Sequence, residues 1–386
     1  MGIDCIVISI HSIFGGPITK DDSFKSFRKL VYTTVIIAIG VTCFSLCMLD
    51  LYSMLYSKDL VLSVIDLLML VGIVGTTFVI QSSTLLKYFY SPNTSIIRWL
   101  DNIDSQLYTL NMHQDPSRSF PVNCGVCSTG TIIITIGYVL ANLQHINSTN
   151  GLLLVLKSYG LMVIFLMHGL FLVLSCQIWM RIHYMMVHLE RMIMSTGRKA
   201  GENRISEHTT TRFYRDLKAL AIVQSHCFKA VDCLNEECGL ANVAIFGLFF
   251  YVLTAKCFQL FYVCSIEFKQ HGLIHTQILE PIVLILAVFV HFLMATYLGE
   301  MVLRETQLVV NNLHKLESIK LISQSKEVQG DEKQSEIIEQ LGNQIVHQPV
   351  SFTVMNFFQI DLKFFHLVMG SVGTYLIILL QFDFQN

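Results

Sequence analysis

The sequence predicts an all-α polytopic membrane protein with seven transmembrane helices, its N-terminus in the cytoplasm, its C-terminus outside, and long cytoplasmic helical extensions. Three observations carry that expectation. Of 386 residues, 53% are hydrophobic and only 14% charged, whereas soluble domains carry nearer a quarter charged residues. Apolar runs long enough to cross a hydrocarbon core recur along the chain. The basic residues between those runs fall on alternate loops, as the positive-inside rule requires.

The runs cover about 30–49, 60–80, 130–146, 158–180, 240–264, 277–298 and 364–382. The third is short and ends in Asn142, Gln144 and His145. Lys20, Lys25, Arg28 and Lys29 precede the first run, the second loop holds three Lys or Arg, the fourth nine and the sixth six. The first, third and fifth loops hold one each: Lys58, Lys157 and Lys269. The basic side is cytoplasmic. The sequon Asn147-Ser148-Thr149 then falls in an outer loop, where it is a candidate glycosylation acceptor.

Two inner loops are too long for turns. Residues 181–239 set charges among Ile, Met, Leu and Phe at helical spacing, so helix continues from the fourth run to about Thr196 and resumes near Ser206. Residues 299–363 continue as polar helix to about Ile322. Ser323 to Ser335, rich in Lys, Glu, Gln and Ser, reads as disordered, and a second helix ends at Val346 before Pro349. The chain divides accordingly into a cytoplasmic segment (1–29), a six-helix bundle with its helical loop 181–239 (30–298), a cytoplasmic helical region (299–363), and the seventh helix with a short outer tail (364–386).

The seventh run carries Thr374 and Tyr375, five apolar residues, then Gln381 and Phe382. An amide at membrane depth is stable only where it faces water or a partner. Gly370 and Gly373, with Ser371 and Thr374 beside them, suit either close packing within one chain or approach by another helix. This Thr-Tyr-(five apolar)-Gln-Phe ending resembles the signature that closes the last span of insect gustatory receptors, and the inverted topology is similar to that of the gustatory and odorant receptor superfamily. The resemblance implies a ligand-gated, poorly selective cation channel in the plasma membrane of gustatory neurons. Four subunits, in a homotetramer or with related receptors, gather around a pore and bundle beneath the membrane through their cytoplasmic helices. Ile378, Gln381 and Phe382 then line the narrowest part, where an apolar ring blocks ions by dewetting and rotation bringing Gln381 inward admits them. Asp383, about 200° around the helix from Gln381, is a weaker candidate for the outer mouth.

A candidate ligand layer follows from depth. Asp66 in the second run and Lys256 in the fifth both lie roughly 9–12 Å below the outer surface at 1.5 Å per residue. Asn142, Gln144, His145, Tyr159, Gln259, Tyr262 and Glu280 belong to the same layer. Two readings stay open: a pocket for a small-molecule tastant, or a structural ion pair between Asp66 and Lys256 with the others at the interface. His168 and His291 lie deeper, where a lone histidine is ordinarily a satisfied core residue. Leu376 follows Thr-Tyr where sugar receptors typically carry glutamate, so the resemblance implies bitter or other plant-derived compounds, with a fructose-type sugar channel as an alternative.

Other classes find little support. A G-protein-coupled receptor has the opposite orientation, and no internal similarity suggests a transporter with repeated halves. No hydrolase, zinc-protease or phosphate-loop motif is present, so an enzyme is not expected. Cys124-x-x-Cys127 lacks a second metal-binding pair, and Cys43, Cys47, Cys176, Cys257 and Cys264 lie in apolar runs as small hydrophobes. No cofactor or metal is expected, and the charge balance gives no reason to expect nucleic acid. No cleaved leader is evident at Met1 to Ile10, and Ile6 argues against myristoylation of Gly2. The partners expected are a tastant, other subunits and membrane lipids.

Overall fold

The computed structural model describes residues 60–90, 96–110, 130, 133–134, 136–140, 148–201, 207–270, 275–324, 332–347 and 349–384. The expected first span, 30–49, and the N-terminal segment lie outside the described residues, as do Asn142, Gln144, His145 and Asn147. Of the third span, a helical stretch over 136–140 is described.

Seven helices are named: α1 (Leu60–Tyr90), α2 (Ile96–Thr109), α3 (Ser148–Gly201), α4 (Glu207–Gln270), α5 (His275–Gln324), α6 (Glu332–His347) and α7 (Leu362–Phe384). Five of these (α1, α3, α4, α5 and α7) are long and apolar enough to cross a membrane. At 1.5 Å per residue, the 54 residues of α3, 64 of α4 and 50 of α5 run about 75–96 Å. A hydrocarbon core is about 30 Å thick. Each helix therefore continues far beyond the bilayer without a break, because its sequence changes from uniformly apolar to amphipathic without a helix-breaking residue. Pro281 lies only seven residues into α5, where few intrahelical donors have yet been used. α6 begins at Glu332, so Glu332 to Ser335, expected to be disordered, are helical.

α3 packs between α1, α4 and α5, and α7 lies against α4 and α5. The helix approaches are close. A Cβ on Gly160 of α3 would strike Ile73 of α1, so only glycine permits that crossing. α2 buries Ile96, Leu100, Ile103, Leu107 and Leu110, a stripe at helical spacing that docks it onto α4 and α3. There the Arg181 guanidinium, 1% exposed, donates to both carboxylate oxygens of Asp104 at 2.8 and 2.6 Å. Arg181 also donates to the Gln177 backbone and side chain, while Lys229 sits 5.1 Å above the Trp99 ring.

The apolar stretch Val350 to Ile360 is a small hairpin, β1 (Thr353–Val354) antiparallel to β2 (Phe358–Gln359), with Thr353 opposite Gln359. Met355 and Asn356 take φ of 49° and 59°, and the Phe357 amide donates to the Val354 carbonyl at 2.9 Å, closing a primed turn. Asn235 of α4 bridges to it, donating to the Ser351 carbonyl and accepting from the Thr353 amide, each at 3.0 Å. The hairpin ends against α5: a Cβ on Gly299 would collide with the Ile360 carbonyl. One residue later Asp361 caps α7, its Oδ1 accepting the Phe364 amide at 2.8 Å. The start of α7 is thereby pinned to both α4 and α5.

Candidate functional site

Part of the polar layer expected from sequence converges on one lysine. Lys256 of α4, 1% exposed, donates to Gln259 Oε1 at 2.8 Å and to Glu280 Oε2 at 3.1 Å, with Glu280 Oε1 at 3.0 Å and Asp66 Oδ1 at 3.6 Å. An ammonium group has three donors, and three acceptor side chains, one each from α1, α4 and α5, surround this one. Glu280 is nearly buried, whereas the Asp66 side chain is 44% exposed. The carboxylate nearest open space is therefore the one held most loosely. Asp66 and Lys256 are paired, as one of the two readings of the sequence supposed, and Glu280 binds Lys256 more closely than Asp66 does.

Tyr138, buried in the helical stretch 136–140, lies within electrostatic reach of both Glu280 and Asp66. Tyr251 lies within reach of Asp66, and its hydroxyl donates to the neighbouring Ile65 carbonyl at 3.0 Å. Neither tyrosine was singled out from sequence, since nothing in local spacing marks them; only the helix crossing does. Tyr159 stands apart from this cluster and accepts from Gln81 of α1 at 3.1 Å. Tyr262 stacks on Phe258, one turn earlier on α4. Asn142, Gln144 and His145 lie outside the described residues.

Deeper in the bundle, the two histidines expected to stand alone meet each other, with His168 Nδ1 3.2 Å from His291 Nδ1. Phe246 and Phe249 pack edge-on to His168. The aromatic contacts continue through Phe292 to Phe364 and Phe365 of α7.

α7 is the least covered of the long helices, with 6% of its most apolar window buried against 72% for α3. Phe364, Phe365, Val368 and Val372 face the bundle. On the opposite face lie Lys363, Gly370, Thr374, Ile377 and Gln381, all exposed, with Leu367 and Ile378 beside them. Among the described residues a Cβ on Gly370 or Gly373 would meet nothing within 4 Å, so these glycines do not serve packing against the described helices. Tyr375 makes an edge-on contact with Phe250 of α4 at 5.8 Å, fixing the rotation of α7 at that level. The side chain of Phe382 is outside the described residues.

A family model described as "7tm Chemosensory receptor" matches residues 6–386. The chain belongs to this family. Over 151 residues this chemosensory receptor is 28% identical to the gustatory and pheromone receptor 32a of Drosophila melanogaster. That match covers 39% of the chain and spans 29% of the relative's length. In fold, the receptor is similar to the insect olfactory receptor OR5 from Machilis hrabei, solved alone and in complex with eugenol. The TM-scores are 0.62 and 0.59, at 14% identity over 95% of this chain and 92% of the other. The all-α membrane architecture and the gustatory and odorant receptor resemblance expected from sequence agree with these likenesses. The receptor is a multi-pass membrane protein.

Proposed function

We propose that this receptor is a subunit of a ligand-gated, poorly selective cation channel for taste in the plasma membrane, with α7 lining the conduction path. The observation that carries the proposal is the uncovered face of α7. An apolar helix left this uncovered, with the Gln381 amide exposed on the same face as Gly370 and Thr374, suits a water-filled axis shared between copies. Four copies arranged about that axis, identical or mixed with related receptors, place Gly370 and Gly373 where a neighbouring helix can approach. Gln381 then lies near the outer end, with Ile378 and Phe382 as the dewetting constriction.

The Lys256 cluster is the proposed tastant site. It joins three helices and leaves Asp66 accessible, and the basic-loop pattern of the sequence favours the outer side for it. A ligand that competes for Asp66 or Gln259 would shift α1 relative to α4 and α5, and α7 leans on the latter two. Bitter or other plant-derived compounds are the proposed ligand class; the basis is the residue pattern at Leu376.

The deciding experiment records currents from cells expressing this chain while a tastant panel is applied. Substituting Gln381→Ala should change unitary conductance or ion permeability at normal surface expression. Unaltered permeation in that variant would remove α7 from the pore. A tag after Asn386 that stains only permeabilised cells would instead favour a receptor coupled to a G protein.

A further inference from the structure

Lys363 occupies an unusual place. It stands at the start of α7, exposed, and makes no ion pair among the described residues. Its position is not that of a loose surface lysine. The backbone before it is clamped, with the Ile360 carbonyl seated against Gly299 and the Asp361 carboxylate capping the helix. The two residues after it are clamped as well. Phe364 stacks on Phe358 at 4.3 Å and meets Phe246 and Phe292, while Phe365 contacts Phe289 and Phe292. With both aromatic rings turned into the bundle, the helix can present Lys363 only away from it.

At 3.6 residues per turn, the eighteen residues from Lys363 to Gln381 make five whole turns, so both share one bearing on α7 and lie about 27 Å apart along it. Gly370 and Thr374 fall within about 20° of that bearing, and His366 about 60° to one side. Any axis faced by Gln381 is therefore faced by Lys363 at its other end.

We propose that Lys363 contributes one ammonium group per subunit to a charged ring at the cytoplasmic mouth, and that this ring determines how readily cations leave the cell through the channel. The inference rests on α7 lining the pore. Rings of like charge set the local ion concentration at a pore entrance. A positive ring depletes cytoplasmic cations within a Debye length of about 8 Å at physiological ionic strength. Outward current is lowered more than inward current, because ions arriving from outside meet the ring only after passing the constriction.

The test compares ligand-evoked current–voltage curves for wild type, Lys363→Arg, Lys363→Gln and Lys363→Glu. Arg should reproduce wild type. Gln should raise the ratio of outward to inward current about twofold, Glu should raise it further, and both effects should shrink in high cytoplasmic salt. Unchanged rectification in Gln and Glu, alongside altered permeation in Gln381→Ala, would overturn the ring while leaving the pore in place. If Gln381→Ala also permeates normally, the pore assignment itself fails. Should Gln and Glu not reach the surface, Lys363→Cys treated from the cytoplasm with cationic or anionic thiol reagents gives the same readout. Opposite shifts with the two reagents support the ring, and no shift with either, against a wild-type control, refutes it.

Discussion

Replacing Lys256 by methionine tests the buried charge cluster most directly. The ammonium is 1% exposed and lies 3.0 Å from Glu280 Oε1. At an effective dielectric constant of about 20, that separation corresponds to an attraction of about 5 kcal/mol. Much of this offsets the desolvation of the two ions, so the pair adds little over an apolar substitute. Removing one partner is different. Lys256→Met leaves the Glu280 carboxylate, 12% exposed, without its counter-ion and beside Asp66, and such a change costs about 3–5 kcal/mol. Asp66 adds little, being half exposed and 3.6 Å away. The double variant Lys256→Met with Glu280→Gln removes both charges and should recover most of the loss. Heating of detergent-solubilised protein followed by size-exclusion chromatography ranks the three. Wild type and the double variant should persist to similar temperatures, well above Lys256→Met alone. A single variant as stable as wild type, or a double variant no better than the single, would refute the electrostatic account. A shift in ligand potency in the double variant, at restored stability, would further separate a binding role from a structural one.

Gly299→Ala should weaken the anchorage of α7 by about 1–3 kcal/mol, because the added methyl group overlaps the Ile360 carbonyl and the hairpin must move. Reduced thermal stability checks this, and an unaffected variant would show that the crossing has slack. At the docked α2 helix, Asp104→Ala should destabilise more than Arg181→Met. The first strands a fully buried guanidinium at about 3–5 kcal/mol, whereas the second leaves a carboxylate already 25% exposed. Unfolding temperatures in the reverse order would contradict that reasoning.

The long apolar helices were legible in the sequence where apolar runs repeat one physical rule, bilayer thickness. The continuation of helix well beyond the apolar part of the fourth, fifth and sixth runs was legible too, since helical periodicity survives the change from apolar to amphipathic composition. The hairpin at 350–360 was missed because its strands are two residues each, too short for alternation to register, and because Met355 and Asn356 do not form a standard turn dipeptide. Within the outer layer, depth alone brought Asp66, Lys256, Gln259 and Glu280 to one level, because rise per residue is fixed in a helix.

Which of those residues touch was settled by helix crossing. Tyr159, expected in the same layer, bonds Gln81 instead, while Tyr251 bonds the Ile65 carbonyl beside Asp66, a contact no local spacing announces. His168 and His291, 123 residues apart in the chain, became a pair by the same means. The sequence by itself determined how far apart polar groups lie along one helix and which residues share its face, since both follow from the geometry of a single α-helix. Tertiary structure alone decided which faces meet and which stay bare, because that depends on where small residues such as Gly160 and Gly299 let backbones approach. The uncovered face of α7, from Lys363 to Gln381, is the consequence on which the proposed pore rests.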